Sequence, residues 1–211
     1  MAIAAPPRLV IAADDVIRQP GEDRGIARHR FEVRYGAVPQ IARGATRRVE
    51  SEDRWKGGLV ERGIGLANEF PNTVVAVNVG NEALVDWNDH MVPLERVIAY
   101  VRQVKAAIAQ PVTVADNYEW WIQDGAPLAA EVDFIGVHTY PAWEEKTIDE
   151  ALSYTIDNID GVYAALPNKS IAILEAGWAT VANEFPEQAN EENQARYYRE
   201  ILEWATTANV T

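Results

Sequence analysis

The feature that most constrains the fold is an alternation of short apolar segments with longer amphipathic ones, from residue 59 to residue 205. Four apolar segments have the length and the β-branched composition of buried strands: residues 73–79, 111–115, 132–137 and 170–174. Helical spacing is found in residues 59–70, 93–109, 147–166 and 187–205, and a short helix fits residues 126–131. Strands buried on both faces that alternate with helices predict a parallel sheet.

The spacing of these units leaves two architectures open. Four strand–helix units lie between residues 73 and 205. This spacing is close to that of a (β/α)8 TIM barrel, in which eight units take roughly 250 residues. A doubly wound open sheet has similar spacing. Residues at the strand ends must therefore distinguish the two.

The charge of the chain changes near residue 56. Residues 1–56 contain ten arginines and one lysine against eight acidic residues, whereas the whole chain has a net charge of −13. Two segments of this first region, residues 8–13 and 31–35, are candidate strands. We therefore predict an arginine-rich leader of uncertain structure over residues 1–56 and a partial barrel domain over residues 57–211.

Composition and motifs exclude several functional classes. The negative charge argues against nucleic acid as a partner, because it repels a phosphate backbone. The chain has no apolar run near the ~20 residues of a membrane span, and it has no cysteine for disulfides. The three histidines lack the spacing of metal ligands, and no glycine-rich phosphate loop is present. The sequence therefore predicts no metal and no cofactor.

Two glutamates occupy positions that favour chemistry. Glu82 follows the segment TVVAVNV, and Glu175 follows SIAIL directly. A carboxylate placed after a buried apolar run is unfavourable unless it faces a polar cavity. In a parallel barrel the carboxyl ends of the strands form the active-site face, so the two glutamates can converge there.

Two converging carboxylates are the groups that glycoside cleavage requires. One donates a proton to the leaving oxygen while the other attacks the anomeric carbon. Asn81, beside Glu82, could donate a hydrogen bond to a sugar 2-hydroxyl. The alternative is that each glutamate only pairs with a nearby basic residue, and position alone does not decide between the two readings.

Further polar and aromatic residues follow the other strands. Asn117 and Tyr118 begin an aromatic run, NYEWW, that could form a sugar-stacking wall or could equally be loop packing. His138 and Trp143 follow the strand of residues 132–137, and we favour substrate contact for His138 over a structural hydrogen bond. The loop after Glu82 carries Trp87 and His90, which could close over a cleft or lie on the surface.

Three motifs resemble those of glycoside hydrolase family 17, the β-1,3-glucanase family of clan A. VVAVNVGNEAL resembles the acid/base strand, and ILEAGWAT resembles the nucleophile strand. VDFIGVHTYPAW resembles the intervening strand, which brings a tyrosine near the nucleophile. The motifs occur in the family's order, and the resemblance covers roughly residues 60–211. It implies a barrel, with Glu82 as acid/base and Glu175 as nucleophile of a retaining β-glucan hydrolase.

The resemblance also implies roles for neighbouring residues. Asn81 would bind near the 2-hydroxyl, Tyr140 would hydrogen-bond Glu175, and Trp178 would line the sugar cleft. The expected substrate is a β-glucan polysaccharide or oligosaccharide, most simply β-1,3-linked, and no cofactor is implied. Ala176 and Ala179 depart from the usual Glu-Thr-Gly-Trp-Pro and suit a bacterial branch, for which an extracellular or periplasmic location is expected.

The match to the barrel is incomplete. No motif of the family's first strands is found in residues 1–56, and the chain ends at Thr211, where an eighth strand would begin. We therefore expect open sheet edges and self-association through them. Two alternative functions remain open: a β-1,3-glucan transglycosylase with the same site, and a non-catalytic carbohydrate-binding or inactive fragment.

Overall fold

The computed structural model describes residues 9–12, 52–87 and 91–208, and these contain one sheet of five parallel strands. The strands are β1 (Leu9–Ala12), β2 (Val74–Asn81), β3 (Val112–Asn117), β4 (Ile135–Thr139) and β5 (Ile171–Ala176). Each strand pairs with the strand that precedes it in the chain, in the order β1-β2-β3-β4-β5. Sequential parallel order is the topology of a barrel segment, so the doubly wound alternative, whose strand order reverses, is excluded.

Helices connect these strands and cover the sheet. They are α1 (Glu52–Glu69), α2 (Leu94–Lys105), α3 (Tyr118–Gln123), α4 (Ala126–Ala129), α5 (Ile148–Ala165) and α6 (Glu191–Ala208), with a 3-10 helix at Pro141–Glu144. A capping box at Thr147 and Glu150 fixes the start of α5. The α/β alternation predicted from the sequence is confirmed.

Two helices differ from the sequence prediction. Helix α1 begins at Glu52 rather than at residue 59, so the change of charge near residue 56 lies within a helix. The aromatic run after β3 is helical as α3, although we placed it in a loop. The side chain of Asn117 explains this second difference, because its Oδ1 accepts a hydrogen bond from Glu119 N at 2.8 Å and caps the helix.

Two hydrophobic clusters hold the helices on the sheet. The larger lies among β2, β3, β4 and helices α1 to α5, and the buried face of α2 contributes Val97, Val101 and Val104 to it. The smaller joins the 3-10 helix, α5 and α6 around Trp178 and Tyr197. All five residues of β4 are buried, as expected for a central parallel strand.

Strand β1 supplies a neighbour that the sequence left uncertain. Leu9–Ala12 lies within the candidate strand of residues 8–13 and pairs in parallel with β2, with Ile11 opposite Val77. The arginine-rich region therefore contributes a strand to the sheet. The other candidate, residues 31–35, lies outside the described residues, and the domain boundary after residue 56 stays a prediction.

Strand β5 lies at the other side of the sheet. Its six side chains are all half-buried, in contrast to the fully buried side chains of β4. Self-association through such an edge stays a prediction. Among the described helices, none combines the length and the apolar character that crossing a membrane requires.

Candidate active site

An extra residue in β2 turns the chain toward Glu82. Asn78 lies opposite Thr113 and Asn81 opposite Ala115, so β2 advances three residues while β3 advances two. Gly80, with φ of 147°, is in this bulge. At the bulge the Asn78 side chain takes the place of a backbone acceptor between the strands, since its Oδ1 accepts a hydrogen bond from Ala115 N at 2.9 Å. Such a bulge redirects the side chains that follow it.

Glu82 itself has a left-handed backbone, with φ of 47°. This conformation is unfavourable by about 1–2 kcal/mol for a residue with a Cβ. Two hydrogen bonds to consecutive residues of β3 hold it: Glu82 N donates to Ala115 O at 2.9 Å, and Leu84 N donates to Asp116 Oδ2 at 3.0 Å. Strained residues of this kind concentrate at functional sites.

A second bulge precedes Glu175. Val137 pairs with Ile173, but His138 pairs with Glu175, so Leu174 is the extra residue of β5. A shift of one residue moves every following side chain to the other face of a strand. The extra residue therefore sets the glutamate beside His138. Gly136 leaves room for this arrangement, since a Cβ there would lie 2.7 Å from Leu174 Cδ1.

The two glutamates converge on His138, which lies at the end of β4. Its Nδ1 is 3.4 Å from Glu82 Oε1 and 3.7 Å from Glu175 Oε2. The facing atoms of the three side chains all lie within 4.8 Å of one another. The histidine side chain is 1% exposed, against 22% for Glu82 and 39% for Glu175. His138 is thus a buried bridge below two carboxylates that reach solvent.

Tyr140 distinguishes the two carboxylates. Its hydroxyl donates a hydrogen bond to Glu175 Oε2 at 2.7 Å, as the sequence predicted. Burial, followed by the nearby negative charge of Glu175, raises the pKa of Tyr140 well above its usual range. The phenol therefore remains a donor over the whole working pH range. The hydrogen bond therefore fixes the orientation of the Glu175 carboxylate.

A third carboxylate lies behind this pair. Asp116 in β3 is fully buried, and its two oxygens accept from Leu84 N and Asn117 N. Burial raises its pKa to about 6, an effect that the two backbone hydrogen bonds and His138 oppose. We assigned Asp116 no role from the sequence. It nevertheless carries the signal that identified the glutamates, because it directly follows the apolar run PVTVA.

The same three side chains could hold a cation. Glu82, His138 and Glu175 each offer one ligand atom within the 4.8 Å cluster. They come from the loop after β2, from β4 and from β5, so no local histidine spacing in the sequence could indicate them. The cluster is equally explained by a carboxylate pair with an intervening imidazole, and the expectation of no metal stays a prediction.

The aromatic run after β3 is divided between buried and half-buried positions. Trp121 is fully buried, and its Nε1 donates to Gly136 O at 2.9 Å, which places the ring in the core. Tyr118 is half-buried and hydrogen-bonds Tyr154 Oη at 2.7 Å. Of the two interpretations left open, packing therefore describes Trp121 and stacking remains open for Tyr118.

Trp178 packs in the smaller core. Only 2% of its surface is exposed, its Nε1 donates to Gln188 O at 2.8 Å, and its ring packs on Tyr197. Its place in the lining of a sugar cleft stays a prediction. Asn81 is half-buried directly before Glu82, as the prediction requires.

Trp143 is an exposed aromatic residue in the 3-10 helix that follows β4. It is 51% exposed and packs edge to face on Phe185 at 5.0 Å between ring centroids. Both rings line a pocket of about 420 Å³, together with Lys146 and Glu184. The residues that line it belong to the segments after β4 and after β5. Trp87 is 59% exposed in the loop after Glu82, and His90 lies outside the described residues.

Residues 52–211 match the family model described as the BtgE/BtgC glycoside hydrolase domain. This match covers most of the chain and includes every site residue named above. The chain belongs to the BtgE/BtgC glycoside hydrolase domain family. Membership agrees with the paired carboxylates, because glycoside hydrolases use two such groups.

Two solved structures similar to this BtgE/BtgC domain are enzymes of β-1,3-glucan. An endo-laminarinase from Formosa Hel1_33_131 has a TM-score of 0.67 and 26% identity, over 74% of this chain and 52% of that chain. The glycoside hydrolase family 17 β-1,3-glucanosyltransferase from Rhizomucor miehei has a TM-score of 0.61 and 26% identity, over 72% of this chain and 59% of that chain. These neighbours agree with the family 17 resemblance of the motifs.

A more distant neighbour shares only the fold. A GH113 β-1,4-mannanase has a TM-score of 0.51 and 15% identity, over 74% of this chain and 49% of that chain. The chain spans between half and three fifths of the length of the two β-1,3-glucan-active structures. No curated protein sequence matches it.

Proposed function

We propose that this domain cleaves β-glucan, most simply β-1,3-linked, with retention of configuration, using Glu175 as nucleophile and Glu82 as acid/base. The observation that carries the proposal is the approach of the two carboxylates, whose facing oxygens lie within 4.8 Å. Retaining glycosidases place their carboxyl groups ~5–5.5 Å apart, whereas inverting enzymes need ~6.5–9.5 Å to admit water. The distance favours direct attack on the sugar.

The two roles follow from the environments of the carboxylates. Glu175 accepts the Tyr140 hydrogen bond, which holds its carboxylate in one orientation, as a nucleophile requires. Glu82 is less exposed, at 22% against 39%, and its backbone is held by β3. The two carboxyl groups therefore lie in different surroundings, as the separate roles of acid and nucleophile require.

The reaction follows as a double displacement. Glu175 Oε2 attacks the anomeric carbon while the glycosidic C–O bond breaks and Glu82 gives its proton to the leaving oxygen. The deprotonated Glu82 then takes a proton from water, whose oxygen attacks the same carbon and releases Glu175. Each step uses only the two carboxylates and water.

The surrounding residues supply candidate sugar contacts. Asn81 would donate to the 2-hydroxyl, and Trp143 would stack on a sugar ring at the pocket beside β4 and β5. Asn117 and Tyr118 lie at the end of β3 and would contact a neighbouring ring. His138, nearly fully buried, would act by hydrogen bonding to the carboxylates and would contact only the innermost sugar.

The decisive experiment uses nucleophile variants on laminari-oligosaccharides and activated aryl glycosides. Glu175→Gln should lose nearly all activity, and azide should rescue Glu175→Gly with an azide-linked product of inverted configuration. Glu82→Ala should keep activity mainly on activated leaving groups, because these need little protonation. Glu187→Gln, an exposed glutamate before α6, is the matched control and should be fully active.

One result would exclude this assignment. If Glu175→Gln kept a tenth of the rate, only about 1.4 kcal/mol of the barrier would depend on the carboxylate, too little for a nucleophile. If the unaltered chain bound β-glucan but produced neither new reducing ends nor chains longer than the substrate, the carbohydrate-binding alternative would replace catalysis.

Sugar transfer is the second candidate reaction. It is favoured by the similarity to a β-1,3-glucanosyltransferase, which matches this chain at the same identity as the laminarinase. A sugar hydroxyl would then replace water in the second displacement, with the same two glutamates. Chromatography of products from a single laminari-oligosaccharide distinguishes them, since transfer yields chains longer than the substrate and hydrolysis does not.

A further inference from the structure

The buried carboxylate of Asp116 is not explained by the two-glutamate mechanism. It is 0% exposed, at the end of β3 between the strands that carry Glu82 and His138. An ionisable group in such a place is unfavourable unless it is compensated. In the described part of the chain its compensation comes from two backbone N–H groups, those of Leu84 and Asn117.

One of these hydrogen bonds reaches the segment that carries Glu82. Leu84 N donates to Asp116 Oδ2 at 3.0 Å, two residues after the left-handed Glu82. On the other side of that residue, Glu82 N donates to Ala115 O at 2.9 Å. Consecutive residues of β3 therefore fix the chain before and after the strained Cα. A left-handed residue with a Cβ persists only where its surroundings determine it.

The next residues of the loop are buried and hydrogen-bonded. Ala83, Leu84 and Val85 are all at least 92% buried, and Val92 N donates to Ala83 O at 2.7 Å. The loop is thus held at its base, and the Asp116 carboxylate is the side-chain group that accepts the Leu84 N–H there.

We propose that Asp116 is a positioning residue for the acid/base: its carboxylate accepts the Leu84 N–H and so holds the Glu82 turn in place. This inference rests on the proposed function of Glu82. Asp116 touches neither substrate nor the reacting atoms. Its effect on the reaction passes through the orientation of Glu82.

Asp116→Asn is the direct test, because it preserves shape while changing hydrogen bonding. An amide has one acceptor oxygen, so only one of the two backbone donors can be satisfied and the other faces an NH2 group. We expect kcat/KM on a natural laminari-oligosaccharide to fall about tenfold or more, since general acid catalysis typically contributes ~10²–10⁴-fold. On an activated aryl glycoside, which needs no acid, the fall should be less than about threefold.

Thr113→Val is the matched control. Thr113 lies in the same strand, is also 0% exposed, and donates to Phe134 O at 2.7 Å, away from Glu82. This variant should lower the melting temperature without changing the ratio of activities on the two substrates. Asp116→Ser, which keeps one acceptor without charge, serves as the second variant if Asp116→Asn is unfolded at the assay temperature.

A double variant completes the test. Added to Glu82→Ala, Asp116→Asn should cause no further loss on the natural substrate, because the group through which it acts is gone. Equal losses on both substrates, or losses that multiply in the double variant, would overturn the positioning role. If Glu82→Ala itself shows no leaving-group dependence, the acid/base assignment fails first. If Glu82→Ala shows leaving-group dependence but Asp116→Asn does not, the positioning role of Asp116 is wrong while the acid/base assignment of Glu82 stands.

Discussion

The left-handed backbone of Glu82 makes a prediction about stability that needs no activity assay. Glu82→Gly and Glu82→Ala both remove the carboxylate and all of its contacts. Only alanine keeps the Cβ that clashes with the following carbonyl at a φ of 47°. Glycine should therefore give the more stable protein of the two, although it is ordinarily the less stable choice.

The size of the difference follows from two opposing effects. The left-handed conformation is unfavourable by about 1–2 kcal/mol for alanine. Glycine loses more backbone entropy on folding, which offsets roughly 0.5–1 kcal/mol of that difference. The net preference for glycine is about 1 kcal/mol, or a melting temperature roughly 2–4 °C higher for a domain of 150–250 residues.

Thermal or urea unfolding of the two variants at one pH measures this difference. The same pair of substitutions at Glu95, an exposed residue in the first turn of α2, is the control. There alanine should be the more stable by about 1 kcal/mol, because the site is helical. If the alanine variant were as stable as the glycine variant, or more stable, at both positions, the backbone of Glu82 would not be strained. The hydrogen bonds from β3 would then not be needed to maintain its conformation.

Two further predictions concern the neighbours of the glutamates. Tyr140→Phe should lower kcat by about tenfold with little change in KM. This factor is at the lower end of the range for a hydrogen bond to a charged group, because Glu175 is partly exposed. Steady-state kinetics measure the effect, and an unchanged kcat would contradict the role of the phenol. Because burial raises the pKa of Asp116 to about 6, the folded state binds its proton more tightly than the unfolded state. Asp116 should therefore lower the free energy of unfolding as pH rises from about 4 to about 6, by at most about 3 kcal/mol. Thermal melting of Asp116→Asn beside the unaltered chain should show the variant gaining relative stability across this pH range. A constant difference in melting temperature would contradict the burial effect.

The strand positions could be predicted from apolar runs, but the strand ends could not. The predicted ends were residues 79, 115, 137 and 174, whereas β2, β3, β4 and β5 each continue for two more residues. Those additional residues include Asn81, Asp116, His138 and Glu175. A hydrophobic pattern stops where polar residues begin, but at the mouth of a barrel the polar residues are still part of the strand.

The pairing of Glu82 with Glu175 was predicted from position, whereas the geometry that creates it was not. Both bulges depend on register between strands that are distant in sequence, and no local pattern reports Leu174 as an extra residue. The burial of Trp178 could not be predicted for a similar reason. Its neighbours Gln188 and Tyr197 belong to a later loop and to α6, so its burial was determined by tertiary packing.

The sequential order of the strands bears on how the chain folds. Each strand hydrogen-bonds only its predecessor and successor in the described sheet, so from β2 onward no pairing has to bridge more than one connecting segment. Chains whose contacts are local in sequence close shorter loops and reach the native state faster than those with distant pairings. The central pairs β2–β3 and β3–β4 can then form as an early nucleus, with β5 added last on its half-buried edge. Amide hydrogen exchange should accordingly be slowest in β3 and β4 and faster in β5, where the nucleophile lies.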